Sequence, residues 1–157
     1  MRPLYLRIQL PKAEQMTEQD TLLAILRQCR TIAVVGLSPK PHRTSFQVSS
    51  VMQAAGYRII PVNPLAREVL GETAYPSLHE AAQHHTIELV NCFRNSEDIP
   101  PIVDEAIAIG AKAIWMQLGI RHDEAAAKAM AAGLLVVQDR CIKVEHHILQ
   151  ARGLLTP

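Results

Sequence analysis

The stretch TIAVVGLSPKPHRTSF, residues 31–46, decides the fold. It begins as a short β-branched run without polar interruption, which is typical of a strand covered on both faces of a sheet. One glycine, Gly36, follows, and a helical pattern begins at Thr44. A strand, a glycine turn and a helix N-terminus in this order usually surround a phosphate with backbone N–H groups. The stretch therefore predicts a central strand with an anion site at its carboxyl end.

The same alternation of strands and helices continues along the chain. A helix over residues 44–55 ends at Gly56, and its expected core face holds Val48, Val51, Met52 and Ala55. Further strands are expected at YRIIPV, TIELVNCF, AKAIWMQLG and LLVVQD, a short strand near Thr73, and helices from Ser77, Ser96, Asp123 and Lys143. This spacing requires parallel crossover connections. It predicts an α/β fold, a doubly wound and mainly parallel sheet of five to six strands in a Rossmann-like domain.

The chain before the first strand divides into two parts. A helix is expected from Thr17 to about Arg30, with Thr17 and Asp20 or Thr21 as its cap. We therefore expect a single domain over residues 17–157 and an N-terminal extension over residues 1–16. Residues 4–10 of the extension alternate apolar and mixed side chains, so they could add an edge strand.

Composition limits the classes of partner. Sixteen basic and fifteen acidic residues among 157 give a net charge of +1, so no global field draws the chain to nucleic acid or an anionic membrane. No stretch approaches the roughly 20 apolar residues of a membrane span. The three cysteines form no CxxC spacing, which indicates a reducing compartment. We expect a cytoplasmic protein that binds neither nucleic acid nor membrane.

In a doubly wound sheet, ligands bind beyond the carboxyl ends of the strands, where strand order reverses. The turns at these ends contain the candidate residues Gly36, Leu37, Ser38, Asn63, Pro64, Phe93, Arg94, Gln117 and Gly119. The first turn adds hydroxyls at Thr44 and Ser45 and positive charges at Lys40 and Arg43. Such a turn suits a phosphate. The alternative is that Thr44 or Ser45 merely caps the helix while Lys40 and Arg43 are solvated.

The residues missing from this turn are informative as well. After Gly36 the next glycine is Gly56, so the second and third glycines of a dinucleotide fingerprint are absent. Asn63 and Pro64 stand where an acidic residue would bind a ribose. NAD in its usual pose is therefore disfavoured, and the chain has no GxxxxGK[ST] loop.

No recognisable catalytic set emerges from the sequence. The histidine pairs His84-His85 and His146-His147 cannot share a metal on a helix, because adjacent residues face different sides, and we expect them on the solvated surface. Cys92 fits a buried strand cysteine better than a nucleophile. Arg140 and Glu145 fit a surface ion pair.

Read together, the strand ends resemble a known family. IAVVGLSPKPHRTSF, GYRIIPVNP, VLGETAYPSL, the stretch from FRNSED to MQLGI, and DRCIKVEHH are similar in order and spacing to the small stand-alone CoA-binding proteins. These are related to the nucleotide-binding domain of the succinyl-CoA synthetase α subunit. The resemblance covers residues 31–147. It implies a Rossmann-like domain that binds coenzyme A through its phosphorylated adenosine end.

Carried over to this sequence, the resemblance implies a role for each turn. Gly36 and Ser38, with Arg43 and Ser45 behind them, would meet the diphosphate, and Asn63 and Pro64 would border the adenosine. Phe93, Arg94, Gln117 and Gly119 would line the path of the pantetheine. The loop departs from the expected pattern at RTSF, where a proline is expected before the serine, and His42 adds a titratable group.

Three hypotheses follow. The first is a protein that binds CoA or an acyl-CoA without catalysis of its own. The second is an NAD(P)-dependent oxidoreductase, which only the fold supports. The third is an interaction subunit, which either completes an acyl-CoA ligase in trans or forms a homodimer through Leu4, Leu6, Ile8 and Leu10.

Overall fold

The computed structural model describes residues 16–155. The helices in this range are α1 (Glu18–Gln28), α2 (Thr44–Ala54), α3 (Leu78–His84), α4 (Ile99–Ala108), α5 (Asp123–Ala131) and α6 (Ile142–Ala151). The strands are β1 (Thr31–Val35), β2 (Arg58–Val62), β3 (Glu68–Val69), β4 (Glu72–Thr73), β5 (Leu89–Cys92), β6 (Ala113–Met116) and β7 (Leu135–Val137). One turn of 3₁₀ helix, Ser96–Asp98, leads into α4.

The main sheet has five strands in the order β2-β1-β5-β6-β7, and every pair is parallel. The predicted doubly wound architecture is therefore confirmed. The short strand expected near Thr73 is β4, which pairs with β3 in a separate antiparallel hairpin. The edge strand expected at residues 4–10 lies outside the described residues.

Both faces of the sheet are covered, which explains the uninterrupted apolar sequence of β1. Ile32 and Val34 belong to the core cluster that includes residues of α1, α2 and α6. Ala33 and Val35 belong to the cluster that includes residues of α3, α4 and α5. Successive side chains of a strand point to opposite faces, so β1 contributes to both cores.

Helix α1 begins with a capping box of Thr17 and Asp20, the first of the two partners that the sequence allowed for Thr17. The Asp20 N–H donates to the Thr17 hydroxyl at 3.1 Å, and the Thr17 N–H donates to the Asp20 carboxylate at 3.3 Å. Leu22, Ile25 and Leu26 are buried beneath the helix. The reciprocal bonds satisfy two of the backbone donors that a helix N-terminus leaves open.

The core face expected for α2 is partly wrong. Val48 and Met52 are buried, but Val51 is 44% exposed and Ala55 is also exposed. The buried face is completed instead by Ser45 and Ser49. On this face the Ser45 hydroxyl accepts a hydrogen bond from the Ser38 N–H of the loop that precedes the helix, so a polar residue is accommodated there.

One histidine expected on the surface is buried. His146 is 8% exposed, and its ring packs edge-on against Tyr57, with ring centroids 5.6 Å apart. Burial lowers the pKa of His146, with smaller contributions from His147 and Arg30. Adjacent His147 is exposed, so one histidine of the pair lies in the core and the other lies on the surface.

Two further observations concern the surface. The Arg140 guanidinium pairs with Glu145 at 3.1 Å and also with Glu18 of α1, so the expected surface pair is part of a three-residue network. Within residues 16–155, no helix has the length and apolar character needed to cross a membrane.

Candidate functional site

Strand order reverses between β1 and β5. The chain leaves β1 for β2 on one side and later returns to β5 on the other side. The Gly36 N–H donates to the Val62 carbonyl, and the Phe93 N–H donates to the Val35 carbonyl, each at 2.9 Å. The turns after β1 and β5 therefore begin side by side, at the position where this class of sheet binds ligands.

Gly36 is required at this position for two separate reasons. Its φ of +85° lies in the left-handed region, where a side chain is strained. A Cβ built on Gly36 would also lie 3.2 Å from the Phe93 carbonyl oxygen and 3.4 Å from Cδ of Arg94. The turns after β1 and β5 thus touch through bare backbone, and the Arg94 side chain lies beside the glycine.

Two serine hydroxyls fix the loop that follows Gly36. The Ser38 N–H donates to the Ser45 hydroxyl at 3.0 Å, and the Lys40 N–H donates to the Ser38 hydroxyl at 3.1 Å. In each case the serine oxygen is the acceptor, so its own O–H remains a donor. The loop therefore presents two oriented hydroxyl donors, one of them on the largely buried Ser45.

The N-terminus of α2 lacks a side-chain cap. Arg43 is the N-cap residue and makes no capping hydrogen bond, and the first turn has no acidic residue. The first intrahelical hydrogen bond of α2 runs from the Gln47 N–H to the Arg43 carbonyl at 3.1 Å. The N–H groups of Thr44, Ser45 and Phe46 therefore have no acceptor within the helix. Neither Thr44 nor Ser45 caps α2, contrary to the alternative interpretation of the sequence.

These groups line one open cavity of about 390 Å³. Its lining consists of Gly36, Ser38, Lys40, Arg43, Thr44, Ser45 and Phe93. All seven are among the residues singled out from the sequence. Lys40, Arg43 and Thr44 are exposed, so the cavity opens to solvent with two cations at its rim. Open helix N–H groups, two hydroxyl donors and two cations are the groups that bind a phosphate.

Leu37 and Asn63 support this loop. The Leu37 side chain is fully buried, so only its backbone can face a ligand. Its carbonyl accepts a hydrogen bond from the Asn63 amide at 2.9 Å, and the Leu65 N–H donates to the other end of the Asn63 amide at 2.9 Å. Asn63 thus ties the turn after β2 to the turn after β1. Pro64 is exposed next to it and does not line the cavity.

The turn after β6 lies apart from this cavity and is held within the protein. Gln117 is 3% exposed; its amide donates to Asn91 at 2.7 Å and accepts from the Ile142 N–H at 3.4 Å. The Gly119 N–H donates to the Asp139 carboxylate at 2.6 Å. Gln117 therefore joins β5, β6 and the start of α6 through one buried side chain.

Two residues of this region were not anticipated. Asn91 is a polar residue inside an otherwise apolar strand and is 1% exposed. A buried amide needs hydrogen-bond partners, so the asparagine in ELVNC could have been recognised as structurally important. Asp139 adopts a φ of +56°, a conformation that the sequence alone does not reveal.

The buried cysteines Cys29 and Cys92 do not provide a reactive centre. Burial raises the pKa of the Cys92 thiol to about 12 and, with a smaller contribution from Glu88, that of Cys29 to about 11. Both thiols therefore remain protonated near neutral pH, whereas a nucleophile needs the thiolate. Among residues 16–155, no group of three or more His, Cys, Asp or Glu side chains is arranged to hold a metal ion.

Comparison with known proteins identifies relatives that share this architecture. A family model described as CoA binding domain matches residues 30–147. YneT of Bacillus subtilis strain 168, an uncharacterized protein, is 45% identical over 124 residues, which is 79% of this chain and 90% of YneT.

Solved structures show the same likeness. A hypothetical protein from Pyrococcus horikoshii superimposes with a TM-score of 0.81 at 36% identity, covering 90% of this chain and 97% of that one. The dinucleotide-forming acetyl-coenzyme A synthetase 1 of Ca. Korarchaeum cryptofilum gives a TM-score of 0.62 at 21% identity, covering 73% of this chain and 27% of that enzyme. The similarity to the acetyl-coenzyme A synthetase is therefore one of fold.

Proposed function

Because this chain belongs to the CoA-binding domain family, we propose that it binds coenzyme A or an acyl-CoA at the carboxyl ends of β1 and β5, without catalysis of its own. One observation carries the proposal. The uncapped start of α2, the hydroxyls of Ser38 and Ser45, and the side chains of Lys40 and Arg43 surround one cavity at the switch point. A diphosphate matches these donors in charge and in hydrogen-bonding capacity.

In this proposal each turn contacts a different part of the ligand. The diphosphate lies against Gly36, Ser38 and the first turn of α2, where backbone N–H groups and hydroxyls donate to its oxygens. The adenosine lies along Asn63 and Pro64. The pantetheine crosses the turn after β5, past Phe93 and Arg94, toward Gln117 and Gly119. Since the Gln117 amide is engaged within the protein, it supports this path by holding the backbone in place.

The residues favour CoA over NAD. A ribose in the usual dinucleotide pose needs a carboxylate at the end of the second strand, and Asn63 there has both ends of its amide engaged. The loop after Gly36 contains hydroxyls and cations in place of further glycines. CoA also carries a 3′-phosphate that NAD lacks, which gives Lys40 or Arg43 a second anionic target.

Titration calorimetry with CoA, dephospho-CoA and NAD tests the proposal. We expect CoA to bind most tightly, dephospho-CoA more weakly because it lacks the 3′-phosphate, and NAD most weakly. Arg43→Ala should weaken CoA binding by about 10- to 150-fold, the equivalent of one lost charge-assisted hydrogen bond. Arg152→Ala is the matched control, because Arg152 is an exposed arginine at the end of α6. Absence of heat with CoA, or equal binding of all three ligands, would refute the proposal.

The identity of any acyl group needs a separate experiment. The protein is purified without added ligand and denatured, and the released small molecules are identified by mass spectrometry. Release of CoA or one acyl-CoA in stoichiometric amount supports the proposal and names the acyl group. Release of NAD(P) would instead favour the oxidoreductase hypothesis.

A further inference from the structure

Strand β7 is an edge strand with an open side. Among residues 16–155 it pairs only with β6. The Leu135 N–H donates to the Lys112 carbonyl at 3.0 Å, so Leu135 directs its backbone groups toward β6. In a parallel ladder the next residue directs its groups the other way. The N–H and C=O of Val136 therefore face away from the sheet, toward the open edge.

A groove of about 310 Å³ runs along this edge. It is bounded on one side by α1 and on the other by α5, and the whole length of β7 forms its floor. The lining residues are Met16, Glu18, Thr21, Arg121, Ala126, Met130 and residues 134–138. An unpaired strand edge between two overhanging helices has the shape that one additional strand would fill, and proteins generally cover such edges.

The chain that precedes Met16 contains a segment suited to this groove. Residues 4–10, LYLRIQL, alternate strictly, with apolar side chains at every second position. Pro3 and Pro11 bound the segment, and proline is tolerated at the ends of a strand but not inside a ladder. The alternation gives one apolar face and one face with Tyr5, Arg7 and Gln9, as expected for a strand with one buried face.

The position of Met16 makes this contact geometrically accessible. Met16 itself lines the groove, so the chain enters α1 from beside β7. Five residues, 11–15, separate the segment from Met16, and they can span about 17 Å when extended. A link of this length is therefore sufficient for the segment to reach the open edge of its own molecule.

We propose that residues 4–10 pair with β7 of the same molecule and form a sixth strand of the sheet. The backbone of Val136 supplies the central hydrogen bonds of this pairing. The apolar side chains of the segment cover the part of the groove between the sheet and one helical layer. A second copy of the chain, donating the same segment in exchange, is the alternative occupant that the experiment distinguishes.

Amide hydrogen exchange of the full chain, followed by NMR, tests this pairing directly. We expect the Val136 amide to exchange at least about tenfold more slowly than an unprotected amide, because it is hydrogen-bonded to the segment. Exchange of Val136 at the unprotected rate in the unaltered protein overturns the proposal without the need for any variant. Light scattering over the same concentration range must show a monomer, and protection that appears only with a dimer assigns the groove to a second copy.

A matched pair of variants identifies the segment responsible. Ile8→Asp places a charge on the apolar face of residues 4–10, and Gln9→Asp places the same charge on the opposite face. We expect Ile8→Asp to abolish the protection of Val136 and Gln9→Asp to retain it. The amide of Val90, in central strand β5, should stay protected in both variants and thus report that the domain is folded. Equal protection of Val136 in the two variants would exclude residues 4–10 as the paired segment.

Discussion

The Ser38 backbone donates a hydrogen bond to the Ser45 hydroxyl at 3.0 Å, joining the turn after β1 to the first turn of α2. Ser45 is 7% exposed, so this bond is largely shielded from water. It ties the loop to the first turn of α2, so the two serine hydroxyls and the open helix N–H groups lie around the same cavity. The loop is therefore shaped before any ligand arrives, which reduces the ordering cost of binding.

Replacement of Ser45 should weaken ligand binding. Ser45→Ala removes the acceptor of the Ser38 N–H and one proposed donor to the diphosphate. A hydrogen bond to a charged group contributes about 1.5–3 kcal/mol. We therefore expect the loss of the Ser45 hydroxyl to lower CoA affinity by about 10- to 150-fold in calorimetry. Unchanged affinity would contradict the assigned role of Ser45.

Replacement of Ser49, which lies one turn after Ser45 on the same buried face of α2, should raise the stability of the protein rather than weaken ligand binding. Its hydroxyl oxygen is buried and has no hydrogen-bond partner. Ser49→Ala removes this unsatisfied group, so we expect an increase in the free energy of unfolding of about 1 kcal/mol, measured by urea denaturation. CoA affinity should not change, which makes Ser49→Ala a matched control for Ser45→Ala. A loss of stability would show that the Ser49 hydroxyl has a partner in solution.

Gly36 should tolerate alanine less well than another glycine with a positive φ. Gly36→Ala meets both an unfavourable φ and the Phe93 carbonyl at 3.2 Å. Gly133, with a φ of +94°, has no atom within 4 Å of the added Cβ. We expect Gly133→Ala to cost about 1–2 kcal/mol from backbone strain alone, and Gly36→Ala to cost more in the same urea titration. Equal losses would indicate that the contact with Phe93 relaxes freely.

Thiol labelling should separate the three cysteines. Cys29 and Cys92 are buried with raised pKa values, whereas Cys141 is partly exposed. A chromogenic disulfide reagent at pH 8 should therefore titrate one thiol in the native protein and three after denaturation. Rapid native labelling of more than one thiol would contradict the burial of Cys29 and Cys92.

The same two cysteines should make the protein less stable in alkali. The pKa of a thiol is about 9 when unfolded, but it rises to about 12 for Cys92 and about 11 for Cys29 in the fold. The unfolded chain therefore loses these protons first as pH rises. The stabilisation is complete below about pH 9 and decreases as pH rises toward the folded-state values. Urea midpoints measured between pH 8 and 10.5 should decline, and a flat profile would argue against the burial.

Much of this fold follows from local sequence signals. The apolar run of β1, the capping residue Thr17, the start of a short helix at Ser77 and the glycine at position 56 each act within a few residues, so the sequence predicts them. The buried face of α2 is different, because it includes Ser45, whose hydroxyl accepts a hydrogen bond from Ser38 in the preceding loop. The burial of His146 depends on its packing against Tyr57, which lies far away in sequence. Neither contact has a periodic signature.

The candidate site likewise combines residues that are close together in the sequence with contacts between separate elements. Residues of the turn after β1 and of the α2 N-terminus are contiguous in sequence, and they do meet in one cavity. Gln117 and Asn63 are also placed at strand ends as predicted, but their amides bond to Asn91 and to Leu37 in other elements. The rule that ligands bind at strand ends predicts where the site residues lie in the sheet. It does not predict which of their side chains are already hydrogen-bonded within the protein and which can contact a ligand.

The uncapped start of α2 leaves the first backbone N–H groups of the helix without a side-chain acceptor. In the proposed complex the diphosphate would supply what a serine or aspartate provides at other helices, so the same backbone atoms would serve recognition and helix stability. An engineer seeking a more heat-resistant variant would be drawn to Arg43→Asp, which should complete the helix. That change would occupy the N–H groups and place a negative charge where a phosphate must sit. A substitution at this one residue that raises the stability of the fold would therefore lower its affinity for the proposed ligand.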